Sequence, residues 1–332
     1  MQVDQVNVRN DDAFKVWYAA SSAAVLVGRP DAGPFVASAS DTRAELLHGD
    51  AEAEFGLYGV YESQELVGTS LLTLPQRENT STVFAKVMVA ERARRRGVGT
   101  ALLGHAVELT LARGRSAVVG QVSGPAGETL PGEEFARARG FETAMATTHR
   151  RLDLPLDERR RAPLQQSVQE SSAEYRVEVW RDIPDDCVDA YCALLEAMST
   201  DTPMGDLDSE PEVWDRQRLR EVTARRKAQG RSGLTAVAYG PGGDLVGNSE
   251  LVIKPDSAGH VSQANTLVLR AHRGHRLGLA LKLANLDALS AELPLAVAVH
   301  TATEDTNTPI VAVNEQLGFL PVEREIHLRH RL

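Results

Sequence analysis

The apolar positions along this chain follow two periods, and the whole arrangement occurs twice. Near the start, VDQVNV alternates like a short strand, and DDAFKVWYAASSAAVL then reads as a helix. From residue 175 the alternation returns in YRVEVW and a helical segment follows, DIPDDCVDAYCALLEAM, with Asp182 ahead of Pro184 as its cap region. A second helix, EVWDRQRLREVTARRKAQG, is closed by Gly230. Two strands then share LTAVAYGPGGDLVGNSELVI, and the PGG between them is a hairpin signal. A third strand, ANTLVLRA, runs into a basic loop, HRGHRLGLALK, which opens the helix RLGLALKLANLDALSAEL. An apolar strand (LAVAVHT), a helix (TPIVAVNEQLG) and a last strand (FLPVEREIHL) complete this half. Antiparallel strands feeding a strand–loop–helix–strand unit predict a mixed α/β fold.

The two halves align. Shifting the chain by 179 positions lays LVGTSLLTLP at 66–75 on LVGNSELVIK at 245–254, and RRRGVGTALL at 94–103 on RGHRLGLALK at 273–282. RGFE at 139–142 then meets LGFL at 317–320, now at a shift of 178. Low identity at near-constant spacing is the mark of a duplicated domain. The stretch from Asp153 to Tyr175 is polar and lacks a sustained apolar period, as a connector does, with room in it for a short helix. The expected organisation is one domain over 1–155, a linker over 156–172 and a second domain over 173–332.

Composition narrows the function classes. A length of 332 residues supports two cores, and 42% apolar with 25% charged residues is globular. A formal net charge of −10 argues against nucleic acid as the main partner and leaves a cationic ligand open. No apolar run is long enough to span a membrane, and the N-terminus lacks the pattern of a signal peptide. Cys187 and Cys192 are poorly spaced for a disulfide or a metal site. A cytoplasmic protein, monomer or homodimer, is expected, with no metal and no membrane partner.

The repeated loop is the strongest chemical signal. A strand that turns tightly into a helix points unpaired backbone N–H groups one way, and the helix dipole adds to them. Such a site holds a phosphate or pyrophosphate, with glycines for close approach and arginines as donors. The first copy reads Arg94, Arg95, Arg96, Gly97, Val98, Gly99, Thr100. The second reads Arg273, Gly274, His275, Arg276, Leu277, Gly278, Leu279.

This Arg-rich Gly-x-Gly loop between strand and helix, with a "GF" turn some 40 residues on, resembles the GCN5-related N-acetyltransferase (GNAT) family. The duplication resembles its tandem members, such as mycothiol synthase. The resemblance implies two GNAT-like domains, each a mixed, mostly antiparallel sheet with a splayed strand pair flanked by helices. It implies acetyl-CoA or another acyl-CoA as donor, its pyrophosphate on the loops and its pantetheine arm along Val87, Met88 and Val89 or Leu267, Val268 and Leu269. It also implies Asn307 as a residue near the cofactor. The family's tyrosine acid falls on Ala136 and Asn314, so neither half has it. Arg276 stands where the first copy has Gly97, so the second loop is expected to hold the anion with a side chain in place of bare backbone.

An attacking amine must lose a proton, which calls for a base. Glu250 in GNSELVI, opposite Leu71 of the first copy, is the expected base, with Asn248 and Val252 on its face of the strand. MSTDTPMGDLDSEPEVWD, with Asp201, Asp206, Asp208, Glu210 and Glu212, is expected to wall the acceptor pocket of the second half. Asp206 and Asp208 are its candidate substrate ligands, and Trp214 a lining residue. His272, His275 and His300 read as phosphate neighbours or satisfied polar residues rather than catalytic groups. The expected function is an acyl-CoA-dependent N-acetyltransferase acting on a small, cationic amine from its C-terminal half. The alternative is an acyl-CoA-binding sensor or structural protein with decayed sites.

Overall fold

The computed structural model describes residues 1–29, 32–47, 52–257 and 259–332. The chain divides into two compact units that are not its two contiguous halves. The first contains residues 1–147, 204–210 and 323–332, and the second contains 148–203 and 211–322.

The first unit begins with β1 (Asp4–Gln5), α1 (Asp11–Leu26) and α2 (Ala39–Leu47). Asn10 caps α1 by accepting from the Ala13 N–H. The antiparallel strands β2 (Ala53–Glu62), β3 (Glu65–Pro75) and β4 (Thr82–Val89) follow, then α3 (Val98–Ala112), β5 (Ala117–Pro125), α4 (Pro131–Arg137) and β6 (Glu142–Asp153). β4 and β5 run parallel and pair only over Thr82–Ala85 and Ala117–Gly120, after which they part. α3 packs Val98 and Leu102 on Val60 and Val67, while α1 covers the other face with Phe14 and Trp17 on Leu57 and Leu66.

The second unit repeats this plan. The expected linker contains a helix, α5 (Glu158–Ser171), capped by Asp157. Its few apolar residues, Leu164 and Val168, pack on the core, and Arg161 pairs with Asp287 at 2.6 Å. A sparse stripe of this kind leaves too weak a period to read from sequence. β7 (Arg176–Trp180), α6 (Val188–Asp201), α7 (Arg216–Ala228), β8 (Ser232–Tyr239), β9 (Leu245–Ile253) and β10 (His260–Val268) follow. The unit continues through α8 (Leu277–Glu292), β11 (Ala298–Glu304) and α9 (Thr308–Leu317) to the last strand of the chain, β12 (Leu320–Arg331). β10 and β11 are parallel and pair only over His260–Ser262 and Ala298–His300 before they too diverge. α8 covers one face through Leu279 and Leu283, packed with Val261 and Val299. α6 and α7 cover the other, where Tyr191 and Leu219 meet Val237 and Leu267.

The units exchange strands. From Glu323 onward β12 belongs to the first unit, antiparallel to β5 from Glu323 opposite Pro125 to Arg331 opposite Ala117. Ile326 and Leu328, both fully buried, enter its core beside Val118 and Phe141. The last part of β6 joins the second unit, where Leu152 is in the core and Thr148 Oγ1 donates to Asp305 at 2.6 Å.

Candidate functional site

The two basic loops share one backbone path. Each follows a single 3-10 turn, Glu91–Ala93 or Arg270–His272. Arg94 and Arg273 are extended, and each donates Nε to the carbonyl of the strand's last residue, Val89 at 3.3 Å and Val268 at 3.0 Å. The next residue and the helix N-cap are then left-handed. In the first loop these are Arg95 (φ 64°) and Gly97 (φ 91°); in the second, Gly274 (φ 91°) and Arg276 (φ 54°). Each loop thus has one glycine and one arginine at its left-handed positions, in opposite order. Arg276, standing where the first loop has Gly97, keeps the left-handed turn at a cost of about 1 kcal/mol. Its guanidinium points to Gln316 Oε1 at 3.3 Å. No side chain caps α3 or α8, and both loops are exposed above a buried anchor, Val98 or Leu277. Gly99 and Gly278 lie in the first helical turn; a Cβ on Gly99 would come within 3.3 Å of Phe135 and 3.5 Å of Val89. Arg95 and Thr100 are exposed, Arg96 pairs with Glu62 at 3.1 Å, and Arg139 donates to Thr100 at 2.7 Å.

The loops differ in what surrounds them. Asp201, at the end of α6, bonds Arg270 and Arg273, both at 2.9 Å. His272 contacts the Tyr175 hydroxyl at 3.2 Å, and His275 packs on the Tyr175 ring. Behind the loops the helices diverge. At the sheet side of α3 lie Leu103 and Ala106, whereas α8 has Lys282 and Asn285 at the matching positions, both buried. Asn285 donates to the Ser249 carbonyl at 2.8 Å, and Lys282 Nζ lies 5.4 Å from the centre of the Phe319 ring. Burial alone lowers the Lys282 pKa to about 7. Leu267 and Met88 stand on the strands beside each splay, and Asn307 is the N-cap of α9. Ala136 is buried, and Asn314, also buried, donates to Thr303 Oγ1 at 3.2 Å.

Strand pairing also separates the units. β3 and β4 pair without interruption from Gly68–Val89 to Thr73–Phe84. In the second unit the register of β10 on β9 slips between Gln263 and Thr266, a bulge at Ala264–Asn265. A bulge withdraws backbone groups from the ladder and re-aims them. Gln263 braces it, donating Nε2 to the carbonyls of Glu250 at 2.7 Å and Asn265 at 2.9 Å.

Glu250 lies on β9 beside this bulge and is 7% exposed. It occupies the α6–α7 face with Asn248, as alternation predicted. Arg226 Nη1 donates to its Oε1 at 2.5 Å. The Tyr191 phenol shares this face and hydrogen-bonds Asn248 and Thr235; burial first, then the Glu250 charge, raises its pKa. Tyr191 reads in sequence only as a packing residue, because an apolar helical stripe does not reveal where a terminal hydroxyl ends up.

The acidic stretch is divided between the two units. Asp206 and Asp208 belong to the first unit. The Asp206 N–H donates to Ala144 O at 2.7 Å, and Arg329 and Arg331 hold the Asp208 carboxylate, each at 2.9 Å. The Arg331 hydrogen bond, with Arg329 adding to it, keeps Asp208 below the usual carboxylate range. Glu210 accepts from the Asn79 N–H at 2.8 Å. The physical reason is two arginines on β12 whose partners are more than 100 residues away in sequence. Trp214 stays in the second unit, donating Nε1 to Glu212 at 2.8 Å with Arg218 over its ring.

Among the described residues, no group of three or more His, Cys, Asp or Glu could hold a metal ion, and no helix is long and apolar enough to cross a membrane. Residues 26–123 match the Acetyltransferase (GNAT) family model. Among proteins of curated function, none matches in sequence. A tandem GNAT protein from the clavulanic acid biosynthesis pathway is similar over 99% of this chain and 98% of its own, at 26% identity and a TM-score of 0.80. A GCN5-related N-acetyltransferase from Sphaerobacter thermophilus shares the fold over 99% of this chain and 95% of its own, at 16% identity and a TM-score of 0.69. With two loops of one backbone path and two splayed strand pairs, the chain has the fold of a tandem GNAT protein, and residues 26–123 carry the match to the family.

Proposed function

We propose that the protein is an acyl-CoA-dependent N-acyltransferase that moves an acetyl group to a primary amine of a small cationic acceptor, with the chemistry in the second unit. The observation that carries this is the bulge at Ala264–Asn265 beside buried Glu250, a combination the first unit lacks. Backbone N–H groups released by the bulge suit a thioester oxygen as it gains charge. Glu250 accepts the proton that the amine must lose, since a lysine-like amine has a pKa of about 10.4 in water. The pyrophosphate rests on the loop from Arg273 to Leu279, and the pantetheine arm follows Leu267 to Leu269 into the splay, with Asn307 nearby. On the acceptor side, Glu212 and Trp214 are the second unit's own contribution. The loop from Arg94 to Thr100, with Met88 and Val89, gives the first unit a cofactor-type site without the carboxylate.

The test is Glu250→Gln. We expect kcat/KM for acetyl transfer to fall by roughly a hundredfold or more, with acetyl-CoA affinity retained. A pH profile equal to the parent's removes the base assignment. A second reading, an acyl-CoA-binding protein without chemistry, is favoured by the Arg226 contact on Glu250 and the Asp201 contact on Arg273. Calorimetry with acetyl-CoA, then thiol release against a panel of amines, separates the two: heat without thiol supports the second.

A further inference from the structure

Glu250 is a single proton acceptor, yet acyl transfer moves two protons. Glu250 takes the first from the ammonium. Once nitrogen has bonded to the thioester carbon, the adduct nitrogen must lose another, and the sulfur that leaves as the C–S bond breaks must gain one. The family's tyrosine is absent, with Ala136 and Asn314 at its positions.

Two histidines lie at the closed end of the second unit's strand splay. His260 on β10 and His300 on β11 face each other, Nδ1 to Nε2, at 2.8 Å. His300 is 7% exposed. It is opposite Ser262, the last paired position before the strands diverge, so it stands at the apex of the splay. Val261 and Val299 point into the core under α8, so His260 and His300 point to the opposite face. Glu250 shares that face: Ser262 is opposite Val252, and Val252 is two residues from Glu250. At a shift of 179 the first unit has Ser81 and Gln121, and no such pair.

We propose that the His260–His300 pair carries the second proton, His300 taking it from the adduct nitrogen and returning it to the departing CoA sulfur while His260 holds the His300 ring in place. The inference rests on the acyltransferase reading of the second unit. Its balance is closed: one N–C bond forms, one C–S bond breaks, and the proton lost by nitrogen is gained by sulfur. The surroundings suit a carrier that stays neutral between turnovers. Burial lowers the His300 pKa most, then His260, Arg151 and His149, against a raising effect of Asp153, to about 4. Burial and Arg151 also lower that of His260, with Asp153 opposing. An imidazolium formed here readily releases its proton to a thiolate, whose conjugate thiol has a pKa of about 8.5.

The experiment uses the full chain, acetyl-CoA, and a panel of small amines bearing a second positive charge (putrescine, lysine methyl ester, kanamycin). His300→Asn is expected to lower kcat about a hundredfold, with KM for acetyl-CoA within about threefold. His300→Gln is made in parallel, so that a variant with a collapsed melting transition is not mistaken for a catalytic loss. His260 is a positioning residue: His260→Asn should lower kcat less, and should move the acidic limb of the kcat profile to higher pH, because His260 helps hold His300 down. If the parent turns over while both His300 variants keep kcat within threefold, the proposal is wrong. It is equally wrong if Tyr191→Phe causes the loss and the His300 variants do not. If the parent binds acetyl-CoA but releases no thiol with any amine, the acyltransferase reading itself fails, and that failure shows in the unsubstituted protein.

Discussion

The first and second units run the same loop through the same dihedral angles, yet behind it one has Leu103 and Ala106 and the other Lys282 and Asn285. One pair is ordinary core. The other buries an ammonium for which burial is the cause of its lowered pKa, and an amide that braces β9. The bulge, the Glu250 carboxylate and the histidine pair all fall on the polar side of this comparison. The two copies therefore differ most in their interior side chains. Stability is given up in the copy where we propose the chemistry, as expected when a buried polar group lacks full compensation.

Making the second interior resemble the first should have the largest effect. Between pH 7 and 10.5 the unfolded chain holds a proton on Lys282 that the folded chain lacks. Stability therefore rises with pH through that window, and the penalty is in full force below about pH 7. Lys282→Leu should stabilise the protein by about 4 kcal/mol at pH 6 and by only about 1 kcal/mol at pH 9.5, in urea titrations at the two pH values. A gain equal at both would mean that the amine is not the source.

The exchanged strand sharpens the comparison from the other side. Ile326→Ala empties a fully buried position in the first unit and should cost about 3 kcal/mol in urea unfolding. Next in size is Asp201→Ala. Among the described residues no carboxylate bonds Arg94, whereas Asp201 occupies Arg270 and Arg273. Freeing these arginines should tighten acetyl-CoA binding to the second unit about tenfold by calorimetry. Unchanged affinity would show that the second loop does not hold the anion. The smallest effect is expected from trading the left-handed residues. Arg276→Gly should add about 1 kcal/mol of stability and Gly97→Arg remove about as much, because no atom would crowd a Cβ at Gly97 and only the backbone pays.

Features held by local chain rules were legible beforehand. The duplication, the loops and the orientation of Asn248 and Glu250 all follow from spacing and alternation. The bulge was not, because Ala264 and Asn265 carry no glycine or proline to mark it. α5 was legible only as room for a short helix, since Leu164 and Val168 form a sparse stripe and Pro163 interrupts the pattern. The division of the acidic stretch was not legible either, because Asp208 is held by Arg329 and Arg331, far along the chain. His300 looked like a satisfied core residue, since nothing in LAVAVHT reveals that another histidine stands across from it.

The exchange of strands also sets a timetable. Ser123 on β5 hydrogen-bonds Glu325 on β12, 202 residues downstream. During synthesis at roughly 5–20 residues per second, the first unit would wait at least about ten seconds with β5 unpaired along one edge. An open edge of this kind invites association with other chains. β12 thus acts as a late clasp: of the two units, the one made earlier waits for the later one's last strand before its sheet is complete.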